Sequence, residues 1–325
     1  MKRLFPLLLM WVVLSRGMIS VGYGTITPHK VMVRYPDVSA RHIVFCYADD
    51  IWLVPREGGM AVPLASPNGG EMTPKFSPDG ENIAFSGDYD GTSDLYTLPV
   101  TGGVPFRVTH HPAWEQLNSW TDDGRLIYSA WGAGSFPMDR SLYIVPANGG
   151  QPQPLPVLYG GNGTISSDGT WLAFTPFPRE HRAWKRYMGG RATDIWLLNL
   201  KDFSSQQVTE WGGTDSMPMW HGHRIYYLSD GGPSHFFNIW VYDIDTGKRE
   251  QLTHFTDFDV EWPSIGPGSF GEGEIVFQHA AGIKLLNLET LEIRDIEITI
   301  PGDRPTLQPI RVDASKTIKN GRLSS

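Results

Sequence analysis

Short apolar runs alternate with turn signals along most of the chain, and they recur in a fixed order. The stretch 73–109 contains four such runs, separated by Ser77-Pro78-Asp79-Gly80, a loop with Asp90-Gly91, and Thr101-Gly102-Gly103. Proline and glycine at these positions are typical of tight turns. The pattern predicts a four-stranded antiparallel meander, which needs neighbouring sheets to cover its two faces.

The meander repeats six times. The third apolar run starts at equivalent aliphatic residues, and successive starts are 44, 47, 53, 44 and 44 residues apart. These starts are Ile51, Leu95, Leu142, Ile195, Ile239 and Ile283. Aromatic residues recur in the first and second runs, and wide rings that fill the wedge between splayed sheets explain the 12 tryptophans. Such a period with four strands per repeat is typical of β-propeller blades.

The sequence therefore predicts an all-β fold, a six-bladed β-propeller with four antiparallel strands per blade, over residues 30–300. The blades are expected at about 30–65, 73–109, 117–156, 163–209, 216–253 and 258–298. The first unit has its own first strand and the last unit its own fourth strand. We therefore expect an open (unlatched) ring that is held shut by packing alone.

The two ends of the chain fall outside the repeat. Lys2 and Arg3 precede an apolar run of 11 residues, too short for an ordinary membrane span, which predicts a signal peptide over 1–24. An uncleaved anchor and a mis-assigned start are the alternatives. We expect a periplasmic or secreted protein, or a cytoplasmic one if the start is wrong. Residues 301–325 are interpreted as a proline-rich linker and the start of a missing further domain, which would make the chain a fragment.

Composition and motifs argue against several classes of function. The formal net charge is −8 without a basic block, which disfavours nucleic-acid binding. The single cysteine, Cys46, allows neither an intrachain disulfide nor a cysteine-based zinc site. No G-x-S-x-G elbow, H-E-x-x-H motif or phosphate-binding glycine loop is present. We expect no catalytic residue, no metal site and no cofactor in this chain.

One insertion breaks the regular spacing and supplies the candidate site. It lies between the second and third strands of the fourth blade and is basic in an otherwise acidic protein. Its cations are Arg179, Arg182, Lys185, Arg186 and Arg191. They are candidates for binding an anionic group near the ring, such as a peptide carboxylate, or the acidic surface of a partner. A solvated loop is the alternative.

A second candidate contact lies in the loop that leaves the second blade. His110 and His111 occupy this loop, which would place them at the mouth of the ring. A solvated loop is again the alternative. With the basic insertion, these two histidines complete the predicted peptide-binding residues.

The insertion also carries a family resemblance. Segment 184–190, WKRYMGG, resembles the W-K-x-Y-x-G-G segment in the first propeller of tricorn proteases. Supporting matches lie at 44–52, 222–227 and 252–257. Residues 76–80, FSPDG, resemble the broader group of TolB-like propellers, which is a more generic, WD40-like match. The resemblance covers about residues 30–300.

This resemblance implies a role in proteolysis. Tricorn-like enzymes are large assemblies that degrade oligopeptides and contain a six-bladed propeller, a seven-bladed propeller, a PDZ-like module and a C-terminal serine-protease region. Their catalytic residues belong to the later regions, so this chain would be a non-catalytic part of a serine peptidase (a hydrolase). It would gate or guide oligopeptides through its central channel. The family also holds the substrate's C-terminus with an arginine pair, which the corresponding stretch here, 110–116, lacks.

The implied partners are oligopeptides and the downstream propeller and protease domains, or a partner protein, and a homo-oligomer is compatible with this. The alternative is a stand-alone periplasmic TolB-like propeller that binds a protein partner. A propeller enzyme with its site inside the ring is a third reading, which the sequence disfavours because no acid–base constellation emerges.

Overall fold

The computed structural model describes residues 25–26, 33–65, 69–132, 140–178, 181, 185–267, 273–301 and 315. In this part of the chain there are 27 β-strands and no α-helix. The predicted signal peptide lies outside the described residues, as does the predicted linker apart from Pro301 and Ser315.

The first three blades are antiparallel four-stranded sheets, each drawn from one stretch of chain. The first blade contains β2 (Val33–Val38), β3 (His42–Tyr47), β4 (Asp50–Pro55) and β6 (Val62–Ala65). The second contains β7 (Gly70–Phe76), β8 (Asn82–Asp88), β9 (Ser93–Pro99) and β10 (Phe106–Arg107). The third contains β11 (Trp114–Trp120), β12 (Arg125–Trp131), β13 (Arg140–Pro146) and β14 (Gln153–Pro154).

The remaining three blades follow the same order. The fourth contains β15 (Gly161–Ile165), β16 (Trp171–Thr175), β17 (Trp196–Asn199) and β18 (Ser205–Gln207). The fifth contains β19 (Asp215–His221), β20 (Arg224–Ser229), β21 (Asn238–Asp243) and β22 (Arg249–Gln251). The sixth contains β23 (Val260–Gly266), β24 (Glu274–His279), β25 (Gly282–Asn287) and β26 (Ile293–Ile296). The predicted six-bladed, open-ring architecture is confirmed.

The core is divided into hydrophobic clusters that lie between neighbouring blades. Among the described residues there are six clusters, one for each blade-to-blade interface of the ring. The cluster between the first and sixth blades includes Phe45 and Trp52 on one side and Val276 and Leu285 on the other. Trp52 is only 1 % exposed, which agrees with a packing role for the recurring aromatic residues.

The recurring Val-Thr and Leu-Thr pairs have a structural explanation. The hydroxyl oxygens of Thr109, Thr209 and Thr253 each accept a hydrogen bond of 2.9 Å from the backbone N–H at the start of the third strand of their own blade. These N–H groups would otherwise be buried without a partner, because the short fourth strand does not reach them. The threonine thus completes the outer edge of the blade.

A small seventh sheet joins the two ends of the ring. Its central strand, β27 (Ile298–Pro301), follows the sixth blade and pairs antiparallel with β1 (Thr25–Ile26). On its other side β27 pairs in parallel with β5 (Gly59–Met60), which belongs to a loop of the first blade. Backbone pairing therefore helps to close the ring, and the expectation that packing alone closes it is wrong. Pairings of two residues leave no periodic pattern, so the sequence did not indicate this sheet.

Charged side chains reinforce the same junction. Arg56 of the first blade donates from Nε to Glu274 Oε2 of the sixth blade at 2.8 Å and also contacts Glu274 Oε1 through Nη2. Arg294 donates from Nη2 to the backbone carbonyl of Arg56 at 3.1 Å. We call this junction between the first and sixth blades the ring seam.

Two adjacent glycines allow the ring seam to be tested. Gly58 has a φ of 93°, and a Cβ there would lie 2.6 Å from the carbonyl oxygen of Glu297, next to β27. Gly59 has a φ of 114°, but a Cβ there would meet no atom within 4 Å. We expect Gly58→Ala to destabilise the protein by about 1–3 kcal/mol more than Gly59→Ala, because only the first change displaces β27. Urea unfolding of both variants measures this difference. Equal losses of unfolding free energy would show that the sheet of β1, β5 and β27, the seam sheet, contributes no stability.

Candidate functional site

The first strands of the six blades surround a central channel. It encloses a cavity of about 670 Å³ that runs from the middle of the first strands to the turns that follow them. All six blades contribute lining residues. The channel lies on the axis of the ring because each blade places its first strand innermost.

Each first strand carries a β-bulge at the same level. In every blade the register shifts where the first strand lies opposite an aromatic residue of the second strand. These opposing aromatic residues are Phe45, Phe85, Tyr128, Phe174, Tyr227 and Phe277. A bulge adds one unpaired residue and turns its side chain out of the normal alternation. The six bulges therefore redirect one side chain per blade towards the channel.

The bulges have a sequence signal that our sequence reasoning missed. Five bulge residues have a positive φ of 51–55°, and four of these five precede a proline. The five residues are Tyr35, Thr73, Asn162, Met217 and Trp262. Proline has no N–H, so inside a sheet it is tolerated at an unpaired bulge position. A proline in the middle of the first strand thus marks the level of the bulge.

Two layers of side chains line the channel. The bulge tier consists of Tyr35, Thr73, Asn118, Asn162, Met217 and Trp262. The polar tier consists of the residues at which normal pairing resumes, Asp37, Lys75, Ser119, Thr164, Met219 and Ser264. The bulge tier therefore offers two aromatic rings, two amides, a hydroxyl and a thioether, and the polar tier offers three hydroxyls, an acid, an amine and a thioether.

The charged groups of the polar tier form one hydrogen-bonded cluster. Lys75 Nζ lies 2.5 Å from Ser264 Oγ and 4.0 Å from Asp37 Oδ1, and Ser264 Oγ donates to Asp37. The backbone N–H of Phe76 donates to Asp37 Oδ2 at 2.6 Å. Burial raises the pKa of Asp37 and lowers the pKa of Lys75, while their mutual attraction opposes both shifts. The cluster joins the second blade to the sixth across the first blade.

Further carboxyl groups are buried between the blades, beside the channel rather than in it. Burial raises the pKa of Glu71 to about 7, of Glu115 to about 8 and of Asp215 to about 7. Glu71 accepts hydrogen bonds from Ile51 N at 2.7 Å and from the Tyr89 hydroxyl at 2.6 Å. Glu115 accepts a hydrogen bond from the Thr109 hydroxyl. These contacts join neighbouring blades, which indicates a structural role.

The basic insertion reaches from the fourth blade to the entrance of the sixth. Lys185 Nζ lies 2.6 Å from Asp259 Oδ2 and 3.2 Å from Glu261 Oε1, and Arg186 Nη2 lies 3.3 Å from Asp259 Oδ1. The Arg186 guanidinium also lies 4.6 Å from the centre of the Phe236 ring. For these two cations, the chain itself supplies acidic partners.

The other predicted site residues are placed as follows. Arg191 is exposed, with its guanidinium 5.5 Å from the ring centre of Phe177, and Arg179 and Arg182 lie outside the described residues. His110 and His111 are exposed in the loop before β11, where His111 Nδ1 accepts a hydrogen bond from Ala113 N at 3.0 Å. The peptide-binding role of this residue set stays a prediction.

A chain of aromatic rings crosses one mouth of the channel. His181, from the fourth-blade insertion, lies 5.0 Å from the Trp262 ring of the sixth blade, and Trp262 lies 4.6 Å from Tyr35 of the first blade. On the opposite side the His181 ring lies 6.4 Å from Trp114 and 6.3 Å from Trp131 of the third blade. We call these five residues the aromatic bridge, and His181 is its midpoint.

A hydrogen bond accompanies the aromatic bridge. His181 Nε2 lies 2.9 Å from Gln116 Oε1, and Gln116 lines the channel. Sequence reasoning missed this arrangement because its members come from four different blades and have no common spacing. The third and sixth blades face each other in a six-membered ring, so His181 spans the mouth between opposite walls.

Metal coordination and membrane insertion can be considered for the part of the chain that the structure describes. No group of three or more His, Cys, Asp or Glu side chains there has a geometry that could hold a metal ion. No helix within the same residues is long and apolar enough to cross a membrane.

Comparison with protein families gives one match that spans most of the propeller. The profile of the tricorn protease N-terminal β-propeller domain matches residues 30–292. The chain is 33 % identical over 290 residues to tricorn protease homolog 1 of Streptomyces coelicolor, which covers 87 % of this chain and 26 % of that protein. It is 28 % identical over 289 residues to a tricorn protease homolog of Saccharolobus solfataricus, covering 86 % and 26 %. The chain thus spans about a quarter of the length of these relatives.

A shorter relative and two solved structures extend the comparison. A putative tricorn-like protease N-terminal subunit of Sulfurisphaera tokodaii is 25 % identical over 162 residues, covering 48 % of this chain and 80 % of that protein. The crystal structure of the tricorn protease superposes with a TM-score of 0.71 at 26 % identity, over 83 % of this chain and 26 % of that one. A putative TolB from Agrobacterium tumefaciens gives a TM-score of 0.61 at 17 % identity, over 76 % and 90 %, which shows a shared fold.

Proposed function

Because this chain belongs to the family of tricorn protease N-terminal β-propeller domains, we propose that its central channel gates or guides oligopeptides for a tricorn-like serine peptidase. The chain is a propeller domain of a tricorn-like protease, and peptide passage through it is the further step. Catalysis would be supplied by domains or subunits outside this chain.

The two-tiered channel is the observation that carries this proposal. A cavity of about 670 Å³ is within the usual range for ligand sites. The polar tier offers hydroxyl donors and acceptors for a peptide backbone, whereas the bulge tier offers aromatic and thioether surfaces for side chains. Such a mixture suits oligopeptides of varied sequence.

The propeller would work with a protease region either in one longer chain or as a separate subunit. The Streptomyces relative is about four times as long as the matched region, whereas the Sulfurisphaera relative is described as an N-terminal subunit. A stand-alone TolB-like propeller that binds a protein partner is the second candidate. We favour the first because the tricorn relative is 33 % identical and the TolB structure only 17 %.

Export and self-association complete the proposal. The basic residues and apolar run at the N-terminus favour a periplasmic or secreted location, as proposed from the sequence. Expression of the whole gene with a C-terminal tag, followed by cell fractionation and N-terminal sequencing, tests the location. Sedimentation of the purified chain tests for a homo-oligomer.

Filling the channel tests the proposed path of the peptide. Ser119 lies in the polar tier, and Ser119→Trp would occupy cavity space, whereas Ser205→Trp adds the same ring to an exposed outer strand. We expect the first change to weaken the binding of capped hexapeptides about 10-fold or more, and the second to leave it unchanged, as measured by calorimetry. Neither variant nor the parent chain should hydrolyse the peptides. Equal affinities for the two variants would place the binding site outside the channel.

A further inference from the structure

We propose that the aromatic bridge is a subsite for an aromatic side chain of a peptide, and that this side chain takes the place of the His181 ring between Trp114 and Trp262. This inference rests on the proposed function, because it assigns a side-chain preference to peptides that use the channel. It concerns the mouth of the channel, whereas the proposed function concerns the channel as a path.

The third-blade side of the bridge is a preformed stack. The rings of Trp114 and Trp131 lie 4.7 Å apart with an interplanar angle of 24°, and the guanidinium of Arg140 lies 3.5 Å from the centre of the Trp131 ring. Arg140 is buried, so this end of the stack is held by the blade. Trp114 forms the other end and is 37 % exposed. The His181 ring is almost equally far from both indoles, so a ring in its place would contact the side of this stack without rearranging it.

A hydrogen bond to Gln116 ties His181 to the third blade, whereas its ring contacts with that blade are long. Its ring centre lies 6.4 Å from Trp114 and 6.3 Å from Trp131, near the upper limit of about 7 Å for aromatic pairs. The imidazole is small and its residue is exposed at the mouth. A phenyl or indole ring is wider and more apolar, so it would approach Trp114 more closely than His181 does and bury more surface.

The charges around the stack favour an uncharged ring over a cation. Arg140 already places a positive charge on the far face of Trp131, whereas Lys185 and Arg186 at the same mouth are paired with Asp259. The carboxyl group next in sequence to Trp114 is that of Glu115, whose pKa burial raises to about 8. Glu115 is also only 1 % exposed, so it offers little attraction to a lysine or arginine side chain at the mouth. An uncharged aromatic side chain is not repelled by the positive charge of Arg140.

The opposite wall supplies a second face for the incoming ring. Trp262 is a bulge residue with a φ of 51°, so the bulge holds its ring in the channel, and Tyr35 supports it edge-on at 4.6 Å. His181 lies closer to this wall, 5.0 Å from Trp262. A ligand ring in the place of His181 would thus contact aromatic surfaces from the third and sixth blades together.

Three peptides that differ at one position test the subsite. We would titrate the whole chain with Ac-Gly-Gly-X-Gly-Gly-NH₂, where X is Phe, Leu or Arg, and measure Kd by calorimetry. We expect the Phe peptide to bind about 2- to 10-fold more tightly than the Leu peptide, which is the usual contribution of an aromatic pair beyond its buried area. The Arg peptide should bind no more tightly than the Leu peptide.

Variants of the bridge separate recognition from folding. Trp114→Leu should bring the Phe-to-Leu affinity ratio close to one, and Trp114→Phe should keep part of the preference. His181→Ala should tighten binding of the Phe peptide, because it removes the side chain that occupies the site. Phe203→Leu is the matched control, since Phe203 is 63 % exposed in the turn that connects the two outer strands of the fourth blade. Thermal unfolding of each variant confirms that it is folded.

Each outcome has a definite meaning. Equal affinities for the Phe and Leu peptides would overturn the aromatic subsite and leave the proposed function standing. A preference for Phe that survives Trp114→Leu would overturn the assignment to the bridge, and weaker Phe binding by His181→Ala would overturn the replacement of His181. If none of the three peptides binds, both the subsite and the channel proposal fail.

Discussion

Replacing Lys75 with methionine will lower the free energy of unfolding by about 3 kcal/mol or more. The change leaves the Asp37 carboxylate without its cationic neighbour, and Asp37 is only 4 % exposed. Breaking a buried pair by removing one partner costs more than the pair contributes, because the remaining charge stays desolvated. The loss should be large here, since the cluster with Ser264 connects three of the six blades. Chemical denaturation monitored by circular dichroism measures the effect.

A second lysine provides the control for this experiment. Lys284 has a side chain that is 19 % exposed, nearly the same as the 20 % of Lys75, but its partner Asp295 is 68 % exposed. We expect Lys284→Met to cost less than about 1 kcal/mol, as is usual when an acidic partner remains solvated. Adding Asp37→Asn to Lys75→Met should recover part of the lost stability. Similar losses for the two lysine variants would contradict a special role for the channel cluster.

Raising the pH from 5 to 9 will destabilise the propeller. Burial raises the pKa of Glu71, Glu115 and Asp215 to about 7, 8 and 7, from ordinary values of 4.5, 4.5 and 3.8. The folded state therefore binds these protons more tightly than the unfolded state. Their stabilising effect is complete below about pH 4 and is lost as the pH rises to about 8. Each group should contribute on the order of 2 kcal/mol or more over this interval, because one pKa unit corresponds to about 1.4 kcal/mol.

Of the three groups, Glu115 has the largest pKa shift, and Glu115→Gln tests its contribution. The glutamine side chain keeps the shape and accepts a hydrogen bond from Thr109, but it cannot lose a proton. We expect its melting temperature to fall less between pH 5 and pH 9 than that of the parent protein. Asp79→Asn is the control. Asp79 is an exposed turn residue whose pKa is lowered by hydrogen bonds from Ser77 and Glu81. The protonation of Asp79 therefore changes the stability only below about pH 4, outside the interval that is measured. A parent protein with the same melting temperature at pH 5 and pH 9 would refute the prediction.

The fold was largely predictable because a propeller repeats its local pattern. The aliphatic starts of the third strands, the aromatic residues of the second strands and the Ser-Pro-Asp-Gly type of turn recur in blade after blade, and each depends on neighbours in its own meander. The seam sheet of β1, β5 and β27 was not predictable, since two-residue pairings between segments that are distant along the chain carry no periodic signal. Prolines such as Pro74 and Pro263 could have indicated the bulges, which place Thr73 and Trp262 in the channel.

The candidate site was predictable only in part. The basic insertion was located correctly between strands of the fourth blade, since it interrupts a regular spacing. Its contacts were not, because Asp259 lies 74 residues from Lys185 along the chain. The contact of His181 was not predictable either, because its hydrogen-bond partner Gln116 lies 65 residues away along the chain. Sequence patterns describe neighbours along the chain, and these partners are neighbours only across the ring.

The sequence by itself determined the number of blades, their strand order and the side chains that fill the wedges between them. These features follow from alternation, turn chemistry and repetition, which act over a few residues and are repeated six times. Tertiary structure alone decided how the ring is joined, which residues share the polar tier, and that an aromatic bridge crosses the mouth. Closing the ring brings the first, second and sixth blades together and sets the third opposite the sixth, and no local interaction encodes those distances.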